Sequence, residues 1–235
     1  MNMSSTEHLK YAYLIKQLVN TKRAETPCIH LLVFALLSFL IWGCTTADYL
    51  QKEELHEYLG DEANGLSQSI DNGTVNLRLT YCPSDLMIWR EVEGRSGFET
   101  FEQASGSYND YLYFTMQLTA GGRDALYGTS VDQADFNEKL QTLSFRLQQY
   151  INLTTSQRDT IPLADAHFTR TFGKSSSNDV LLVFSREKTA DADWIAINSQ
   201  EFGFRTGRRS FRFSLEKINN TPKLAELRPF YASKH

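Results

Sequence analysis

The stretch Tyr111–Leu118 (YLYFTMQL) constrains the fold more than any other feature of the chain, because it alternates without a break. Leu112, Phe114, Met116 and Leu118 fall on one side, and Tyr111, Tyr113, Thr115 and Gln117 on the other. Successive side chains of a strand point to opposite faces, so this pattern requires a strand with one face on a core. Val75–Tyr81 repeats the pattern with Val75, Leu77, Leu79 and Tyr81, and Ser210–Leu215 does so with Phe211, Phe213 and Leu215. Val180–Phe184 (VLLVF) is a continuous apolar run and reads as a strand buried on both faces. Ile161 begins a further strand, with Pro162 marking an edge or the strand's start, and Trp194–Ile197 forms a short one. Leu143, Phe145, Leu147, Gln149, Ile151 and Leu153 also alternate. Leu140, Leu143 and Leu147 fit a helix as well, but Ile151–Thr155 is poor helix material and favours a strand. The resulting expectation is a mainly β fold: an antiparallel β-sandwich or open barrel of about seven strands.

One to three short helices complete this picture. Ala47–Leu59 (ADYLQKEELHEYL) reads as an acidic helix stopped by Gly60 that spaces the body from what precedes it. Ser84 is placed to cap a helix over Leu86–Val92, and Asp132–Gln141 carries Phe136 and Leu140 four apart. The glycine- and serine-containing stretch Gly94–Ser107 reads as an exposed loop, and Pro222 and Pro229 bracket an irregular tail.

Ahead of the body lies Leu31–Cys44 (LLVFALLSFLIWGC), preceded by the basic pair Lys22 and Arg23. It resembles the end of a bacterial lipoprotein signal peptide, in which a small residue precedes the cysteine that takes the lipid. That makes Cys44 the lipid-attachment residue and supplies an attachment to the membrane. The apolar run Ile29–Trp42 has 14 residues, short of the roughly 20 that span a bilayer. The basic region before it is long for a signal peptide. Two accounts stand: translation starts downstream of Met1, or the segment is a signal anchor with a short cytoplasmic arm. The expected organisation is a signal peptide or membrane segment over 1–43, a tether with a short helix over 44–66, and a β-rich domain over 67–235. By the same resemblance, Thr45 directly after the lipidated cysteine favours the outer membrane, leaving open whether the body faces the periplasm or the cell surface.

Charge narrows the function classes. The chain carries 24 Lys and Arg against 28 Asp and Glu, and four of those cations but only two of the acids precede Cys44. An acidic body lacks the positive surface that general nucleic-acid binding needs. With Cys28 in the signal segment and Cys44 acylated, Cys82 is left without an intrachain disulfide partner.

Motifs for chemistry are missing. Gly128-Thr129-Ser130-Val131-Asp132 has one glycine of the two that a nucleophile elbow needs. His56-Glu57 has Gly60 where a zinc-binding helix would need its second histidine. No phosphate loop, dinucleotide fingerprint or calcium loop is present, so no cofactor is expected. Asp159, Asp165, Asp191, Asp193, Glu91 and Glu93 are candidate carboxylates for a hydrolase only if a pair converges in space.

Two clusters suit binding instead. Arg205, Arg208, Arg209 and Arg212 form a basic group whose guanidinium forks suit an anionic glycan, a phosphate or a partner's acidic face. Tyr111 and Tyr113 share one strand face and suit a carbohydrate or protein platform. Asp159-Thr160-Ile161 matches a short sequon for O-glycosylation at Thr160.

The segments Leu79–Pro83, Tyr111–Leu118, Asp159–Pro162, His167–Gly173 (HFTRTFG) and Asn178–Phe184 (NDVLLVF) together resemble uncharacterised single-domain lipoproteins of the Bacteroidota over roughly residues 64–225. The resemblance implies a cell-envelope lipoprotein with a β-rich body and carries over no catalytic residues. Its expected partners are the membrane, through the N-terminal lipid, and an envelope protein or glycan.

Overall fold

The computed structural model describes residues 49–93 and 98–233. The expected signal segment over 1–43 and the lipid-attachment residue Cys44 lie outside the described residues.

Strand β1 (Tyr49–Leu50) leads into helix α1 (Lys52–Gly60), whose first turn is closed by the Glu54 carboxylate accepting the Gln51 N–H at 3.2 Å. Strands β2 (Ser67–Asp71) and β3 (Asn76–Cys82) form a hairpin. At its turn Asn72 Oδ1 accepts the Thr74 and Val75 N–H groups while Gly73 takes a φ of +82°, a left-handed conformation that glycine adopts freely. Helices α2 (Ser84–Val92) and α3 (Phe98–Tyr108) follow, then the long strand β4 (Tyr111–Ala120) and its short return β5 (Arg123–Asp124). Helices α4 (Ala125–Thr129) and α5 (Gln133–Gln141) are capped by the Asp124 and Asp132 carboxylates. The chain then takes a π-turn and a 3₁₀-turn over 142–149.

Strands β6 (Ile151–Thr155), β7 (Thr160–Pro162), β8 (Asp165–Phe168), β9 (Asn178–Ser185), β10 (Trp194–Ser199) and β11 (Arg209–Ser214) come next. Helix α6 (Leu215–Asn219), strand β12 (Lys223–Leu224) and helix α7 (Arg228–Ala232) close the described chain.

The fold is mainly β. One sheet has the order β2-β3-β4-β9-β8 with β5 on β4, and a second has the order β11-β10-β6-β7; both are antiparallel. A third, two-stranded sheet pairs β1 with β12 in parallel. The two large sheets lie face to face as an open sandwich: Phe114 of β4 meets Phe213 of β11 with ring centroids 5.0 Å apart. Leu77, Leu79, Leu112, Met116, Leu118, Val180 and Leu182 face Leu153, Ile195, Ile197 and Phe211 in one buried core. Pro162 sits on the edge strand β7, where its missing N–H disrupts no ladder.

Five expectations need correction, the first being the stretch bracketed by Pro222 and Pro229, which is not irregular but carries β12, paired with β1, and a 3₁₀-turn over Ala225–Leu227. Gly94–Ser107 is not a loop where it is described: Phe98–Tyr108 is helical, with Phe101 fully buried against Phe230 at 5.0 Å. That stack supplies the stability its glycine and serines withhold. Residues 142–149 are helical turns rather than a strand, because Leu143 and Leu147, four apart, both reach the core while Phe145 stays exposed. Ser84 does not cap α2; its hydroxyl donates to Asn109 Oδ1 at 2.6 Å and the N-cap position is Pro83. Helix α1 is no free spacer, since Leu55 and Leu59 are buried in the core and Arg78 Nη2 donates to the Gly60 carbonyl.

Candidate functional site

The β3–β4 connection builds the site. These strands are neighbours in the sheet, yet residues 83–110 run between them and carry α2 and α3. The base of the helical pair is closed by Asn109, which accepts from Ser84 Oγ and donates to Ser105 Oγ at 2.8 Å. Register then dictates what lies beside the helices. Cys82, Tyr113, Val183 and Asp165 line up across β3, β4, β9 and β8, as do Thr80, Thr115, Leu181 and His167. All project from the face away from the sandwich core.

Between this face and the helices lies a groove of about 830 Å³. Leu86, Met87 and Trp89 of α2 and Tyr108 of α3 form one wall, and Tyr113, Leu181 and Val183 form the floor. Tyr113 stands 6.2 Å from Tyr108 and 6.4 Å from Tyr111, so the three tyrosines make a ladder from floor to rim. Lys52 and His56 of α1, Arg90 of α2 and Glu93 just past its end line the helical rim; Asp165, His167 and Asp179 line the strand rim. Asp179 is held in place by Gln117 Nε2 at 3.1 Å and Ser177 Oγ at 2.7 Å.

Burial sets the chemistry of the floor. It pushes the Cys82 thiol up to about 12, so at neutral pH the group is a protonated thiol and not a nucleophile. It likewise pushes the Tyr113 hydroxyl up to about 12, with Tyr108 and Tyr111 adding to the rise, so Tyr113 stays neutral. An apolar and aromatic floor with a charged rim suits a ligand that stacks a ring or lays an apolar edge inside. Among the described residues, no group of three His, Cys, Asp or Glu is arranged to hold a metal ion. No described helix is long and apolar enough to cross a membrane.

The residues singled out from sequence divide between two faces. Tyr111 is 39% exposed at the groove rim while Tyr113 is 5% exposed beneath it, so the pair is a rim and a floor rather than an open platform. Arg212 lies across the sandwich, on the outer face of the β6–β10–β11 sheet, with its guanidinium 4.0 Å from the Trp194 ring centroid. Arg205 and Arg208 are exposed on the loop before β11, and Arg209 is half-buried at its start. Glu201 shapes that loop by accepting the N–H groups of Gly203, Arg205 and Gly207 at 2.9, 2.7 and 2.6 Å. Arg205, held at a φ of +57°, presents its carbonyl to Asn72 Nδ2. Thr160 is exposed on the edge strand β7, as a glycan acceptor must be.

Sequence reasoning passed over most of the groove. Trp89 on α2, Tyr108 on α3, and Asp165 and His167 on β8 sit on three different elements, and only the fold brings them together. The one local signal is the tyrosine spacing Tyr108, Tyr111, Tyr113, which crosses the α3–β4 junction. No protein-family model, characterised protein or solved structure matches the chain.

Proposed function

We propose that this chain is a lipid-anchored cell-envelope protein, held at the outer membrane through Cys44, whose β-rich body acts as an accessory binding component of an envelope assembly. The observation that carries the binding role is the groove, an aromatic concavity large enough for a sugar ring or a peptide side chain. Its tyrosine ladder and Trp89 offer flat apolar faces, and its rim offers both signs of charge. The apolar run ending at Cys44 supports the anchor.

A photo-crosslinking amino acid placed at Tyr111 in native membranes tests the binding role. A discrete adduct that weakens in Trp89→Ala supports it. No adduct from Tyr111, or one equal to that from the same probe at Arg208 on the exposed loop before β11, overturns it. Cys44→Ala tests the anchor separately: the protein should leave the membrane fraction or remain uncleaved, and unchanged processing and anchoring would refute it.

A second reading, an envelope hydrolase acting on a glycan or peptide, draws on one observation. Asp165 and His167 are two apart on β8 and face the groove together. Hydrolysis of an envelope glycan or peptide fraction that survives Asp165→Asn and His167→Ala undiminished ends that reading.

A further inference from the structure

The chain enters the described body at a fixed point. Tyr49 and Leu50 pair with Lys223 and Leu224, and the Lys52 N–H donates to Glu226 Oε1 at 3.1 Å. Leu224 N–H in turn donates to the buried Asp85 carboxylate at 2.9 Å, which ties this entry to α2 and the core. Two cation–aromatic pairs surround it. The Arg228 guanidinium lies 5.3 Å from the Tyr49 ring centroid, and the Lys223 ammonium lies 4.5 Å from that of Tyr231. Both cations are exposed, and among the described residues neither has a carboxylate partner. The acids nearby are Glu226, engaged with the Lys52 backbone, and Glu53 and Glu54 in the first turn of α1.

Chain length places this surface close to the membrane if Cys44 carries lipid, the reading on which this inference rests. Only residues 45–48 separate Cys44 from Tyr49, and an extended chain advances at most about 3.6 Å per residue, about 18 Å in all. So short a link keeps Tyr49 near the headgroup layer. Tyr49 and the exposed Lys223 and Arg228 suit that layer, the cations by attraction to anionic lipid, while Tyr231 turns its hydroxyl inward to Asp85 and supplies the ring beside Lys223. We propose that Tyr49, Lys223 and Arg228 form a membrane-facing surface that seats the body on the anionic headgroups of the bilayer holding its anchor. The acidic balance of the rest of the body then repels the same bilayer and orients the molecule with this surface down.

The test uses the full lipidated chain in vesicles of phosphatidylethanolamine and phosphatidylglycerol, with detergent micelles as the reference. Hydrogen exchange is read by mass spectrometry on peptides covering 49–52 and 223–233. Exchange there should slow several-fold in vesicles, and the K223E/R228E variant should return to the micelle rate. Both positions are exposed, and an unchanged melting temperature confirms that the variant is folded. Equal exchange in vesicles and micelles, or slowing that K223E/R228E leaves intact, overturns the inference while the anchor stands. Intact mass reads acylation independently: an unmodified Cys44 overturns the anchor and the inference together.

Discussion

Tyr231 donates its phenolic hydrogen to Asp85 Oδ1 at 2.6 Å, joining residues 146 positions apart. Asp85 Oδ2 accepts the Leu224 N–H at 2.9 Å, so one buried carboxylate holds α2, β12 and α7 together. Burial, then the Asp85 charge, raises the Tyr231 hydroxyl far above its ordinary value, so it remains a donor. Tyr231→Phe keeps the ring packed on Phe101 and removes only the hydroxyl. Asp85 Oδ1 then loses its partner in a buried site, at a cost of about 1–3 kcal/mol. Thermal unfolding should show a melting temperature lower by several degrees. An unchanged value would mean that water replaces the hydroxyl without loss.

That junction also shows what the sequence could and could not disclose. Leu112, Phe114, Met116 and Leu118 announce their strand because each alternation is settled locally, one side chain per face. Phe98–Tyr108 announces nothing comparable. Its helix depends on Phe101 stacking on Phe230, a residue more than a hundred positions later, and Gly106 and two serines argue locally for a loop. Residues 142–149 fail for another reason: Leu143 and Leu147 fit either period, and only the core they reach decides. The groove follows the same logic. Tyr111 and Tyr113 were legible on one strand, but which of them lies open depends on α2 and α3 folding back over the sheet.

Cys82 predicts an alkaline limit to stability. In the unfolded chain its thiol ionises near the ordinary 9.0, and in the folded protein only near about 12. Below pH 9 both states hold the proton and this group makes no difference. Above it the folded state keeps a proton that the unfolded state has released, so stability falls as pH rises, by at most about 1.4 kcal/mol per pH unit. Tyr81 and Tyr113, each pushed by burial from 10.0 to about 12, steepen the fall above pH 10. Urea midpoints should therefore hold steady from neutral pH to the high eights and then decline. Cys82→Ala should remove the decline between pH 9 and 10. An identical profile in that variant would show that the thiol is not the cause.

Lys139 predicts a limit at the acid end. Only 5% exposed, it donates to Asp135 Oδ2 at 2.7 Å and to the Thr129 carbonyl and hydroxyl at 3.1 Å each. The Lys139 hydrogen bond, then the Val131 N–H, holds the Asp135 carboxyl below its ordinary 3.8. A lowered carboxyl contributes stability that is present above the ordinary value and is lost as pH falls below it. Asp135→Asn leaves a buried ammonium without its counter-charge. Because Asp135 itself is partly open to water, the cost is set at about 1–3 kcal/mol rather than the larger loss for a fully buried pair. Melts of wild type and Asp135→Asn should differ clearly at pH 7 and converge towards pH 3. A gap that stays constant would assign the effect to packing instead.

The groove offers a separation of binding from stability, because its tyrosines differ in burial. Tyr113, at 5% exposure, is part of the packed floor, and truncating an aromatic so placed costs about 3–5 kcal/mol. Tyr113→Ala therefore reports on folding. Tyr111, at 39% exposure, stands at the rim, and Tyr111→Ala should change stability by no more than about 0.5 kcal/mol. Trp89 in the groove wall supplies the reporter once Trp194, on the far face, and Trp42 are replaced by Phe. Titrating soluble envelope oligosaccharides or peptides into that background should shift Trp89 emission in a saturable way. Adding Tyr111→Ala should weaken the apparent affinity with the melting temperature held. Emission that shifts with the same midpoint in both proteins would place the ligand elsewhere, and loss of the shift together with loss of the fold would assign Tyr111 to the core.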